Sequence, residues 1–131
     1  MRPDGGFSNF AEVVVARGAE RAASPCLRFH RDGAWRDWTY GEVLDRSRRI
    51  AGGLVALGVA PGDRVAILSE NRPEWVLADL GAILAAAVVV AVYAGLPGEE
   101  AAYVVDHSET RVLFAENVGQ VEKMLAVRES V

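Results

Sequence analysis

The order of apolar and polar positions along the chain predicts strands that alternate with amphipathic helices. Three short runs rich in β-branched residues are typical of buried strands, and each is followed by apolar residues at helical spacing. The predicted strands are 64–69, 88–93 and 111–115. Because parallel strands need right-handed helical crossovers, this order predicts an α/β fold: a mostly parallel, wound sheet with helices on both faces.

Each predicted helix has an apolar face expected to point inward. The helix after Thr39 is expected to end at Gly58, a residue type that favours the left-handed conformation at a helix end. The second helix runs from about Pro73 to Ala85. The inward residues are expected to be Val43, Ile50, Leu54 and Leu57 in the first helix, Val76, Leu80, Ile83 and Leu84 in the second, and Val118, Val121, Met124 and Leu125 in the last.

Turn and cap signals organise the first forty residues. Asp32-Gly33 lies between two strand-like runs, which predicts a β-hairpin because glycine tolerates the positive φ of a tight turn. Asn9 with Glu12, and Thr39 with Glu42, each have the spacing of a capping box at a helix start. We therefore expect a helix, an N-terminal β-hairpin and a second helix before the parallel sheet.

The uncharged segment 80–96 is close to the lower length limit for a membrane-spanning helix. Its first half has a helical pattern, but 88–93 is β-branched and typical of a buried strand. A soluble helix–strand unit is therefore expected in place of a transmembrane segment.

Composition limits the class of protein. A chain of 131 residues with 51% hydrophobic and 24% charged residues fits one packed domain, and its net charge of −4 argues against nucleic-acid binding. The single Cys26 cannot form an internal disulfide, and the opening MRPDGGFSNF lacks the apolar core of a signal peptide. A cytoplasmic protein is expected. Lys123 is the only lysine, so any lysine chemistry has one candidate.

Several common catalytic motifs are missing from the sequence. It contains no Walker-type phosphate loop, no GxGxxG after a strand, no Cys/His spacing for a metal and no GxSxG elbow. Gly52-Gly53 lies inside a predicted helix and is expected to permit close helix packing. His30 and His107 are expected to be surface or capping residues.

The strand-to-helix junctions hold the candidate binding residues. Ser69 and Asn71 follow a predicted parallel strand, where open α/β sheets bind ligands, and Tyr93 ends the next strand. These three are the predicted substrate-binding residues. The alternative for this junction is purely structural, with Asn71 as the N-cap and Pro73 as the first helical residue.

Three segments carry a family resemblance. They are LRFHRDGAW at 27–35, WTYGEV at 38–43 and LVALGVAPGDRVAILSENRPEW at 54–75. Together they resemble the N-terminal part of AMP-forming acyl-CoA synthetases, which belong to the adenylate-forming enzymes, and they look most like the long-chain fatty-acid members. The likeness extends roughly from Phe10 to the end of the chain.

The resemblance implies a function for a parent enzyme. That family activates a carboxylate with ATP and Mg²⁺, forms an acyl-adenylate with loss of pyrophosphate, and transfers the acyl group to CoA. The chain would then be residues 1–131 of a larger adenylating domain. The family's phosphate loop, ribose-binding Asp and catalytic Lys have no counterpart here, so no catalytic residue is expected in this chain, and Lys123 stands in a different context.

The chain also departs from the family pattern. Where relatives commonly have Gly-Ala-Val-x-Val-Pro-x-Tyr, this sequence has Ala86 in place of the Gly and Ala91 in place of the Pro. Loss of the Pro restores a backbone N–H, so this strand is expected to be free to pair further than in relatives.

Two readings of the whole chain stay open at this point. The first is the front part of a fatty acyl-CoA synthetase, inactive and without tightly bound ATP, Mg²⁺ or CoA when isolated; aryl and amino acids are alternative substrates. The second is a stand-alone, non-catalytic α/β interaction module of the same ancestry. In either case an uncovered strand edge or helix face predicts self-association.

Overall fold

The computed structural model describes residues 2–129, which fold into the predicted succession of strands and helices. The described elements are α1 Phe10–Glu20, β1 Pro25–Arg31, β2 Ala34–Thr39, α2 Tyr40–Ala56, β3 Arg64–Leu68, α3 Pro73–Leu84, β4 Val88–Val92, α4 Gly98–His107, β5 Thr110–Ala115 and α5 Val118–Glu129. The predicted α/β class, with an N-terminal hairpin ahead of a parallel sheet, is confirmed.

The parallel sheet has the order β4-β3-β5, so β3 is its central strand. Arg64–Leu68 pairs in register with Val88–Val92 on one side, and Val65 pairs with Val112 on the other. With a strand on each side and helices on both faces, Val65–Leu68 is buried almost completely. This explains why β3 is a continuous apolar run without the alternation of a half-exposed strand.

Successive residues of β3 point to opposite faces of the sheet and enter two separate apolar layers. Val65 packs with Leu54 of α2 and Ala82 of α3, whereas Ala66 packs with Val92 and with Ala101 of α4. The helices therefore cover both faces, as the alternating pattern predicts.

Local signals around α2 have the expected geometry. The Thr39 hydroxyl accepts the Glu42 N–H while the Glu42 carboxylate accepts the Thr39 N–H, which completes the capping box. At the other end, Gly58 has φ +89°, and the Val59 N–H donates to the Leu54 carbonyl in a Schellman arrangement.

The hairpin also forms as predicted. β1 and β2 pair antiparallel across a turn in which both Asp32 and Gly33 have positive φ. That is the turn twist that matches the twist of the flanking strands.

The predicted capping box at Asn9 is only half formed. The Asn9 side chain accepts the Glu12 N–H, but the Glu12 carboxylate accepts the N–H of Ser8, at 2.7 Å, instead of the N–H of Asn9. The acidic side chain still satisfies a free amide ahead of the helix, one residue earlier than expected.

The predicted inward faces need correction in all three helices. Leu57 is 70% exposed because it is the C-cap, where the chain leaves the helix. In α3 the predicted residues are only half buried, and the fully buried positions are Leu77, Ala78, Gly81 and Ala82. In α5 only Met124 of the four packs into a core layer, while Val118, Val121 and Leu125 are exposed.

The prediction for Gly52-Gly53 is wrong. A Cβ at either position would meet open space, so neither glycine is needed for close helix packing. Gly81 of α3 has that role, because a Cβ there would overlap Ile50 of α2.

Segment 80–96 divides between the end of α3, strand β4 and the loop after it. Of the helices in the described part of the chain, none combines the length and the apolar character that crossing a bilayer requires.

Candidate functional site

A groove lies where the strand order of the sheet reverses. The chain goes from β3 through α3 to β4 on one side, and then through α4 to β5 on the other side of β3. Open α/β sheets bind ligands at such a reversal, outside the carboxyl ends of the strands. Here the groove has a volume of about 630 Å³. Its walls are residues 27–31 of β1 on one side and 70–73, Trp75, Val76 and Glu116 on the other.

Glu116 connects the ends of the neighbouring strands β3 and β5. It follows β5 directly, and its carboxylate accepts the Glu70 N–H at 3.2 Å and the Ser69 hydroxyl at 3.5 Å beyond the end of β3. The Arg72 guanidinium lies 3.9 Å from the same carboxylate, which is only 10% exposed. The hydrogen-bond donors at the end of β3 are therefore already bonded to a carboxylate of the chain itself.

A second ion pair connects the two walls of the groove. Arg31 of the hairpin donates two hydrogen bonds to the Glu74 carboxylate, at 2.7 and 3.0 Å, and Arg72 donates a third at 2.9 Å. The hydrogen bonds from Arg31 lower the pKa of Glu74 from 4.5 to about 2. Partial burial acts in the opposite direction, and the hydrogen bond from Arg72 lowers the pKa further. Glu74 is therefore an anion throughout the neutral range.

The three predicted binding residues do not share one site. Ser69 is half buried and donates to the Glu70 carbonyl at 2.8 Å, while the exposed Asn71 lines the groove. Tyr93, beyond the end of β4, is 68% exposed and is absent from the groove walls. The start of α3 also differs from the structural alternative: Arg72 is the N-cap and makes no side-chain cap bond, although Pro73 is the first helical residue.

Sequence reasoning missed Arg31, Glu74 and Glu116. The rule that selected Ser69, namely its position just beyond a parallel strand, applies equally to Glu116 after β5. Arg31 and Glu74 lie 43 residues apart, and no spacing in the sequence relates them.

The groove residues by themselves do not form a binding site for a nucleoside triphosphate. Each arginine of the groove is already paired with a carboxylate: Arg28 with Asp37, Arg31 with Glu74, and Arg72 with Glu74 and Glu116. Pro73 at the first helical position lacks the N–H that a phosphate would accept. No catalytic step through ATP is therefore assigned to these residues.

Within the described residues, the lysine, the histidines and the cysteine of the sequence are not assembled into a catalytic group. Lys123 donates from Nζ to the carbonyls of Ala94 and Leu96, at 3.0 and 2.8 Å, and ties α5 to the loop after β4. His30 and His107 are exposed, and each lies against an aromatic ring. Partial burial raises the pKa of the Cys26 thiol. Between residues 2 and 129, no three His, Cys, Asp or Glu side chains are placed to hold a metal ion together.

The fold is a parallel α/β domain with a groove at the point where the strand order of its sheet reverses. Residues 13–131 match the family described as AMP-binding enzyme, and the chain belongs to that family. It is 45% identical over 89 residues to fatty acyl-CoA synthetase A of Dictyostelium discoideum, covering 68% of this chain and 13% of the relative. It is 36% identical over 118 residues to a long-chain-fatty-acid–CoA ligase of Rattus norvegicus, covering 90% of this chain and 17% of that relative.

A solved structure has the same arrangement. The benzoate CoA ligase of Burkholderia xenovorans LB400 superposes with a TM-score of 0.82 and 29% identity, over 95% of this chain and 24% of that protein. The chain thus spans only about a seventh of the two curated relatives and a quarter of this structure. The predicted membership in the adenylate-forming superfamily is confirmed.

Proposed function

We propose that this chain is the N-terminal part of an ATP-dependent acyl-CoA synthetase that acts on long-chain fatty acids. The observation that carries the proposal is the family match across residues 13–131 together with the 45% identity to a fatty acyl-CoA synthetase. The parent enzyme would adenylate a carboxylate with ATP and Mg²⁺, release pyrophosphate, and pass the acyl group to the thiol of CoA with loss of AMP. We place it in the cytoplasm, in keeping with the unpaired Cys26.

In this proposal, residues 1–131 form an N-terminal subdomain that supplies scaffold and one groove, and the chain alone is inactive. Two features of the groove support this. Its arginines are neutralised by neighbouring carboxylates, and its central carboxylate, Glu116, bonds to backbone and side-chain donors of the chain itself. Ser69, Asn71 and Tyr93 stay proposed substrate contacts, with Asn71 the one that lines the groove.

The test is ATP–pyrophosphate exchange by the protein read from the complete source gene. We expect exchange that depends on added carboxylic acid and is faster with a long-chain fatty acid than with benzoate or an amino acid. The 131-residue chain, assayed at the same concentration, is expected to give no exchange above the acid-free control. Exchange by the isolated chain would contradict the proposal that it is inactive alone. Faster exchange with benzoate would contradict the proposal that long-chain fatty acids are the substrates.

We also propose that the isolated chain self-associates through α4 and α5. Val121 and Leu125 expose apolar surface on α5, and Leu125 lines a groove of about 900 Å³ between the two helices. Light scattering is expected to show a dimer or larger species that Leu125→Lys reduces. Leu57→Lys, which places the same charge at the exposed leucine that caps the end of α2, is the matched control. A monomeric wild-type chain at high concentration would contradict the proposal.

A further inference from the structure

The hairpin is a separate structural unit within the described chain. β1 and β2 form their own two-stranded sheet, which has no hydrogen-bond ladder to the three-stranded sheet. β2 is exposed from Ala34 to Asp37, and Trp35 near the turn is 71% exposed. Segments with little buried apolar area open at low free energy, while the core of the domain remains closed.

Hydrogen bonds attach the hairpin to the rest of the domain at two levels. Its second strand also contacts α2, where the Arg46 guanidinium lies 4.5 Å from the Trp38 ring. At its root, the Tyr40 N–H donates to the Ser24 carbonyl and the Gly41 N–H to the Ala22 carbonyl, at 2.9 and 3.0 Å. Near its turn, Arg31 holds Glu74 of α3 through the bidentate pair. Among the described residues, these are the only hydrogen bonds from a hairpin side chain to α3.

The groove lies between these two levels. Residues 27–31 of β1 form one wall, and 70–76 with Glu116 form the other, so the Arg31–Glu74 pair closes the gap between them. We propose that the hairpin Pro25–Thr39 is a hinged lid over this groove and that the Arg31–Glu74 pair is its latch. The hinge is the pair of backbone attachments at 22–24 and 40–41.

The chemistry of the latch suits reversible opening. The Arg31 and Glu74 side chains are 35% and 41% exposed, so water competes for the same donors and acceptors. A carboxylate or phosphate that enters the groove would present the same two-oxygen face to Arg31 as Glu74 does. Entry of such an anion would therefore favour the open position of the lid. This inference rests on the hairpin, its contact with α3 and the groove between them, and it does not depend on the proposed function.

The test is amide hydrogen exchange of the full chain, followed in three segments: the hairpin, the groove wall at 70–76, and the central strand β3. Arg31→Gln and Glu74→Gln are each expected to speed exchange about three- to tenfold in the first two segments and to leave β3 unchanged. The double variant should open the hairpin no further than Glu74→Gln alone, because that change already removes the Arg31–Glu74 pair, together with the hydrogen bond from Arg72.

Arg28→Gln is the matched control. Arg28 pairs with Asp37 through two hydrogen bonds of 2.8 and 3.0 Å, so this pair is bidentate like the latch, but both residues belong to the hairpin. Its loss is expected to loosen the hairpin strands only and to leave exchange at 70–76 at the wild-type rate.

Three outcomes would overturn the lid. These are wild-type exchange at 70–76 in both latch variants, an equal increase at 70–76 in the Arg28 control, or an increase that extends equally into β3. The last would show that the pair stabilises the whole domain. If Arg31→Gln unfolds the chain, Arg31→Lys serves instead, since lysine keeps the charge but not the planar fork, and an intermediate exchange rate is expected.

Discussion

The two helical layers that cover the sheet differ in how completely they are packed. On one face, α2 and α3 approach so closely that a single methyl group at Gly81 would overlap Ile50. On the other face, α4 and α5 leave Tyr103 and Leu125 exposed in the lining of a wide groove. Both layers come from amphipathic sequences. The comparison shows that an apolar helix face is buried only where a neighbouring element reaches it.

The largest expected effect comes from truncating one leucine in each layer. Leu54 is 2% exposed between α2 and the sheet, whereas Leu125 of α5 is 49% exposed. Leu54→Ala should lower the free energy of unfolding by about 2–5 kcal/mol, through lost burial and a cavity. Leu125→Ala should change it by less than about 0.5 kcal/mol. Urea denaturation measures both, and equal losses would show that the two layers are packed alike.

The next effect tests the close approach of α2 and α3. Gly81→Ala should destabilise the chain by about 1–3 kcal/mol, because Ile50 and the backbone of Ser47 leave no room for a methyl group. Gly53→Ala is the matched control in α2, where the added Cβ meets open space. It should stabilise the chain by about 0.5–1 kcal/mol through the better helix propensity of alanine. Thermal denaturation measures both variants. A higher melting temperature for Gly81→Ala than for the wild-type chain would contradict the close packing of α2 and α3.

A smaller, stabilising effect is expected at the end of α3. Ala86 has φ +58°, and the Ala87 N–H closes a Schellman motif on the Ala82 carbonyl. A side chain is strained in this conformation, and this is the position where the resemblance leads one to expect glycine.

Ala86→Gly should therefore raise the free energy of unfolding by about 0.5–1 kcal/mol. Ala85→Gly, one residue earlier at φ −82°, should lower it, because that position is unstrained and buried. The pair of variants is compared by urea denaturation, and a loss of stability in Ala86→Gly would contradict the strain.

The smallest effect concerns the latch that fastens the hairpin to the packed layer. The pKa of Glu74 falls from 4.5 to about 2 on folding, so its contribution is complete above 4.5 and is lost as the pH falls toward 2. Because the pair is partly exposed, the contribution is at most about 1 kcal/mol. Glu74→Gln should flatten the pH dependence of unfolding in that window. Parallel curves for wild type and variant would contradict this.

Most of the secondary structure could be predicted because its signals are local. The Asp32-Gly33 turn, the Thr39 capping box and the Gly58 helix end each depend on residues adjacent in sequence, and all three form. The exact buried face of α3 could not be predicted. Its buried residues include Ala78 and Gly81, which do not stand out in a hydrophobic pattern, and Gly81 is buried because α2 lies against it.

The candidate site was predictable only in part. Position at a strand end indicated Ser69 and Asn71, and the same rule could have indicated Glu116. It could not show that Tyr93 would lie apart from the groove, since strand order places β4 and β5 on opposite sides of β3. Arg31 and Glu74 meet only because the hairpin folds over the start of α3.

The sequence by itself determined the succession of strands and helices, the hairpin and the membership in the AMP-binding family, because periodicity, turn residues and shared motifs are properties of neighbouring positions. The tertiary structure alone decided which apolar faces are covered, at which glycines two helices come into contact, and which charges meet across the groove. Those properties depend on the distances between elements far apart in the chain, and such distances are set only when the elements pack together.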